Sequence, residues 1–116
     1  MGYMRHHAIV VTGYDHYDTP SEGQPIDVLH ATVLKLQERF PSLCWISPVS
    51  PAGLAINGYR SFFIAPDGSK EGWTDSDNGD VFRNKVVQVL ERNRNCHYAE
   101  IQFADDEGCD FVTRKG

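Results

Sequence analysis

Two stretches with apolar residues at helical spacing are interleaved with four short runs rich in β-branched and aromatic residues, and this order limits what the chain can fold into. The first run, His6 to Thr12 (HHAIVVT), is apolar on both sides at its centre, as an interior strand is. Pro25, Ile26 and Asp27 then open a helix where proline and an acidic residue are welcome, with Ser21 and Gln24 as candidate caps. Ile26, Leu29, Val33, Leu36 and Phe40 form its apolar stripe, and Pro41 ends it. Leu43 to Ser47 (LCWIS) is a short second strand, followed by an irregular stretch through Pro48, Pro51 and Gly53.

Asn57-Gly58 is a turn signal before a third strand, Tyr59 to Ala65 (YRSFFIA). Pro66-Asp67-Gly68 reverses the chain, so that Ser69 to Trp73 can return as a small extra strand. Ser76 or Asp77 caps a second helix over Val81 to Asn93, with Phe82, Val86, Val89 and Leu90 on one side. In the fourth strand, Tyr98 to Phe103, alternation puts Ala99, Ile101 and Phe103 on a buried face and Tyr98, Glu100 and Gln102 on a wet one. After an acidic turn at Asp105 to Gly108, Asp110 to Thr113 can add a terminal hairpin strand. The order β-α-β-β-α-β predicts an α+β fold of the split βαβ, or ferredoxin-like, type: an antiparallel sheet with both helices on one face and the other face open. Residues 1–116 read as a single domain, without repeats or a linker.

Composition narrows function. Sixteen acidic against eleven basic residues give a net charge of −5, which argues against general nucleic-acid or anionic-membrane binding, since both need clustered Lys and Arg. Cys44, Cys96 and Cys109 are odd in number and widely spaced, as for reduced thiols rather than a disulfide framework or zinc site. Residues 1–5 lack the apolar core of a signal peptide, so a cytoplasmic protein is expected, with Met1 or Met4 as initiator.

No motif carries chemistry. His6 and His7 are neighbours on a strand, point to opposite faces and cannot share one metal, and His16, His30 and His97 lack ligand spacing. Asp75 to Asp80 (DSDNGD) puts Gly79 and Val86 where a calcium loop needs oxygen ligands. Ala65 to Trp73 (APDGSKEGW) lacks the order of a phosphate loop. Cys44, Ser47 and Ser50 have no base in a recognisable motif, and no cofactor signature is present. A binding protein is therefore expected rather than an enzyme. Its candidate ligand residues are His6, His7, Tyr59, Arg60, Lys70, Trp73 and Arg83, because flat rings beside cations suit a small anionic, nucleotide-like ligand.

The stretches RHHAIVVT (5–12), NGY (57–59), SFFIAPDGSKEGW (61–73), Ser76-Asp77, Gly79-Asp80 and AEIQFADD (99–106) together resemble a group of short proteins encoded by bacteriophages and prophages. That group has no assigned reaction, so the resemblance implies a setting, the host bacterial cytosol, and transfers no catalytic residue. By analogy of setting, small phage proteins without enzyme motifs commonly act by binding, either blocking a host defence protein or sequestering a nucleotide-derived defence messenger. The first is expected here, by a homo-oligomer. The alternatives are an inhibitor that meets a basic host protein through its acidic surface and Tyr98, Glu100 and Gln102, and a phosphodiesterase- or esterase-like enzyme.

Overall fold

The computed structural model describes residues 5–16, 23–40, 44–51, 56–69, 72–93, 95–104 and 111–116. Its elements are β1 (Arg5–Tyr14), α1 (Pro25–Gln37), β2 (Tyr59–Ile64), α2 (Thr74–Arg92), β3 (Cys96–Ala104) and β4 (Phe111–Lys115). The four strands form one antiparallel sheet in the order β2-β1-β3-β4. This is the expected α+β architecture with the terminal hairpin strand present as β4.

The long β-branched strand β1 lies between β2 and β3, with Val11 opposite both Phe62 and Tyr98. Ile9, Val11, Phe62 and Ile64 share one buried cluster with Ile26, Leu29 and Val33 of α1 and Phe82, Val86 and Leu90 of α2, so both helices cover the same face. Gly13 permits a close approach of β1 to β3 and α1: a Cβ there would lie 2.7 Å from Cys96 Sγ and 3.6 Å from Ile26.

The expected second strand is reduced to a single bridge, Ile46 to Ile64. Pro48 and Pro51 remove two backbone donors, and serine side chains complete the ladder instead. Ser47 N–H donates to Phe63 O while Phe63 N–H donates to Ser47 Oγ, both at 2.8 Å. Ser50 repeats the pattern on Ser61, at 2.8 and 2.9 Å. His30 of α1 holds this border in place, with Nε2 2.8 Å from Ser47 O and its ring against Phe62.

Two helix boundaries also differ from expectation. α1 ends at Gln37, and its preceding Gln24 does not cap: the Gln24 amide instead pairs with the backbone N–H and C=O of His16. Ser21 lies outside the described residues. α2 starts at Thr74, so Ser76 and Asp77 lie inside its first turns, where Asp75 and Asp77 favour the positive end of the helix dipole. No extra strand forms among the described residues between β2 and α2; residues 66–69 instead fold onto α2, with the Asp67 carboxylate accepting from Ser69 N–H and Oγ and from Arg83.

Candidate functional site

Register decides which side chains can meet. On β1, His7, Ile9, Val11 and Gly13 face the helices, and His6, Ala8, Val10, Thr12 and Tyr14 face the open side. Tyr59, Ser61 and Phe63 of β2 and His97, Ala99, Ile101 and Phe103 of β3 join the open side. Tyr98, Glu100 and Gln102 therefore point to the helix side, where they are 6, 4 and 9% exposed, and the expected wet face of this strand is its inner one. Polar partners make that inversion possible. Tyr98 OH donates to Glu91 Oε1 at 2.5 Å, and the Glu100 carboxylate accepts from Thr113 and from Arg114 Nε and Nη2 at 2.9 and 2.7 Å.

The sequence candidates do not converge. His6, ring to ring with Phe103 at 5.2 Å, and Tyr59 share the open face but sit at opposite ends of β1, about 26 Å apart at the rise of a strand. His7 is on the inner side, opposite Gln102. Trp73 precedes α2 and is exposed. Lys70 lies outside the described residues.

Both arginines are buried and doubly paired. Arg60 reaches Asp15 at 2.7 Å and Asp27 at 2.5 Å, joining the end of β1 to the start of α1. Arg83 meets Asp67 at 3.1 Å and Asp80 at 2.6 Å, with Cys44 Sγ 3.9 Å away. With two carboxylates each, neither offers free positive charge, and both read as structural. Burial pushes the Cys44 thiol up despite Arg83, and it pushes Cys96 up as well, so neither is an activated nucleophile. Among the described residues no group of three His, Cys, Asp or Glu is placed to hold a metal ion, and no helix is long and apolar enough to cross a membrane.

The open face divides into two halves. Toward the end of β1, Ser61, Thr12 and His97 form a polar row across three strands, the two hydroxyls 2.8 Å apart. Next to it Tyr14 and Tyr59, each 43% exposed, pack edge to face at 5.8 Å, with the His16 ring 4.8 Å from Tyr14. A hollow of about 230 Å³ lies here, lined by Val10, Thr12, His97, Tyr98 and Ala99. Lys115 lies opposite Ala99 on β4, and β1, β2 and β3 put no Lys, Arg, Asp or Glu on this face among the described residues. The other half, from Phe63, Val10 and Ala99 through Ala8, Ile101 and Val112 to Phe103, is apolar except for His6 beside Phe103.

Of this polar and aromatic end, sequence reasoning found only Tyr59. Thr12 and Tyr14 carried a usable signal, since they share the even-numbered parity of His6 on β1; Ser61, His97 and Lys115 needed the sheet order. A second hollow, about 560 Å³ between α2 and β4, is bordered by Arg114, whose guanidinium is held by Glu100 and Asn84. No family model, curated protein or solved structure matches this chain.

Proposed function

We propose that the chain is a binding protein that holds a small anionic, nucleotide-derived ligand without turnover, acts as a homo-oligomer, and uses the polar and aromatic end of its open sheet face. The observation that supports this most is the adjacency of the exposed Tyr14–Tyr59 pair to the Ser61–Thr12–His97 row, with Lys115 beside it. A base stacks on the tyrosines, the hydroxyls and imidazole meet polar groups of a sugar or phosphate, and Lys115 supplies charge. In the phage setting that the resemblance implies, the role is sequestration of a host defence messenger. Of the surface named for the inhibitor reading, Tyr98, Glu100 and Gln102 face the helices, and the acidic surface is the part left to it.

Calorimetry against a panel of cyclic and ADP-ribose-like nucleotides tests the proposal. Tyr14→Ala and Tyr59→Ala are each expected to weaken binding by roughly 5- to 150-fold, the range for loss of a stacked base, while the melting temperature holds. A folded protein that gives no heat with any nucleotide removes the reading. Recovery of altered nucleotide after denaturation turns it into an enzyme.

A further inference from the structure

We infer that the groove between α2 and the free margin of β4 docks an extended segment of a partner protein, which adds to the sheet beside β4 and sets an acidic side chain against Arg114 and Arg92. This groove lies on the helix side of the sheet, and its use is independent of the ligand proposed above.

The backbone of β4 is ready for a further strand. β4 ends the sheet order β2-β1-β3-β4, so one of its sides meets no strand among the described residues. Gly116 and Tyr98 exchange both backbone hydrogen bonds, at 3.0 and 2.7 Å, which makes the next pair, Lys115 and Ala99, one whose backbone groups point away from each other. Lys115 N–H and C=O are therefore directed at the margin. A peptide in extended conformation satisfies them, and its alternate side chains fall on the two faces of the sheet.

The helix side of the margin holds a place for one such side chain. The hollow of about 560 Å³ between α2 and β4 is lined by Asn84, Val87, Gln88, Glu91, Arg92 and Arg114, and it falls within the roughly 300–1,000 Å³ of binding pockets. Val87 is its buried apolar wall, and the exposed Asn84 and Gln88 bring amides to its rim. Arg114 is held in advance: Nε and Nη2 donate to the buried Glu100 carboxylate at 2.9 and 2.7 Å, and Nη1 donates to Asn84 at 2.8 Å. A guanidinium has five N–H donors, so one on each terminal nitrogen remains for an incoming acceptor, on a side chain still 35% exposed.

Charge selects an acidic side chain. At the groove and margin three cations, Arg92, Arg114 and Lys115, stand against the carboxylates of Glu91 and Glu100, a local excess of positive charge in a chain that carries −5. Both carboxylates are engaged, Glu100 by Arg114 and Thr113 and Glu91 by the Tyr98 hydroxyl, whereas Arg92 and Lys115 meet no carboxylate among the described residues. Asp105, Asp106, Glu107 and Asp110 precede Phe111 in the sequence, and Phe111 stands three residues, about 10 Å of strand, from Arg114, which is about one screening length at physiological salt. An acidic residue of the added strand is therefore attracted at the Arg92–Arg114 end, and a basic one is repelled.

Selection of a random linear peptide library on the full chain, followed by fluorescence anisotropy of the enriched peptides, tests the docking. Enriched peptides are expected to carry Asp or Glu within a β-branched stretch, and replacing that acid by its amide is expected to weaken binding about tenfold or more, the loss of a hydrogen bond between charged groups. Gln88→Glu and Arg92→Gln, at exposed positions that leave Glu100 paired, act in the same direction with an unchanged urea midpoint. Lys115→Pro removes the outward N–H and no bond to β3, and is expected to weaken binding about two- to tenfold. A library without enrichment, enriched peptides without an acid, or folded variants that bind with unchanged affinity each overturn the inference. So does a native chain that sediments as a dimer which Lys115→Pro dissociates, since a second copy then occupies the margin.

Discussion

Replacing Arg83 by methionine removes a guanidinium that is 3% exposed and leaves the Asp67 carboxylate, 6% exposed, with its two Ser69 donors among the described residues. Asp80, half exposed, can turn to water, so nearly the whole effect comes from Asp67. Breaking a buried pair on one side costs about 3–5 kcal/mol because the orphaned charge stays in a poorly solvated place. At roughly 4 °C per kcal/mol for 116 residues, the melting temperature falls by about 12–20 °C. Urea unfolding followed by circular dichroism gives the free energy, and the Asp67→Asn, Arg83→Met double variant closes a cycle expected to show at least about 1 kcal/mol of coupling. Gly79 adds an arm whose sign separates two explanations. Helix propensity alone makes Gly79→Ala stabilising by about 1 kcal/mol, yet its Cβ would lie 2.0 Å from Asp67 Oδ2, so the substitution is expected to destabilise by displacing Asp67 from Arg83. An Arg83→Met variant within about 1 kcal/mol of the native chain, an additive cycle, or a stabilised Gly79→Ala would each refute the reasoning.

Burial raises the Asp67 and Glu100 carboxyls, but hydrogen bonds from Ser69 and Arg83, and from Arg114 and Thr113, outweigh it and leave both below their ordinary values of 3.8 and 4.5. Their contribution to stability is therefore present above those values and lost as pH falls through the lower folded ones; urea midpoints measured from pH 7 down to 2 should hold until the pH nears 4.5 and then drop. Burial and the bond to Glu91 push the Tyr98 phenol up to about 12, so the folded state holds that proton longer and loses stability as pH rises from about 10 to 12. Phenolate absorbance should show a late-titrating group that Tyr98→Phe deletes. Ser47→Ala and Ser50→Ala each remove an acceptor for a β2 N–H and should lower unfolding free energy by about 0.5–1.5 kcal/mol, read by the same urea titration.

Periodicity made most of the scaffold legible. The β-branched core of β1, the stripes through Ile26, Leu29 and Val33 and through Phe82, Val86 and Leu90, and the turn before Tyr59 each point to the element that forms. Reading failed where a side chain did the work of backbone, as at Ser47 and Ser50, whose hydroxyls complete a ladder that two prolines interrupt. It failed again on β3, because alternation shows that two faces differ and not which one meets the helices. That choice depended on Arg114 and Thr113, beyond the turn, being there to satisfy Glu100. Arg60 misled for a related reason: the carboxylates that neutralise it lie 45 and 33 residues away along the chain, so the cation looks free until the fold closes; Arg83 carried a local signal in Asp80, three residues before it. Tyr59 survived as a candidate because an exposed aromatic on an open face needs no distant partner to keep it there.

The serine-clamped border of β2 bears on how such molecules can assemble. Growth of a filament by strand addition requires two complementary free margins on every subunit, one to donate and one to receive. Here one margin is occupied by residues 45–50, whose ladder is closed by their own hydroxyls and which carry a proline at position 48. Among the described residues β4 is the one regular strand with an open margin, and a subunit that pairs through β4 alone joins one neighbour. Edge association through β4 alone stops at a pair instead of propagating.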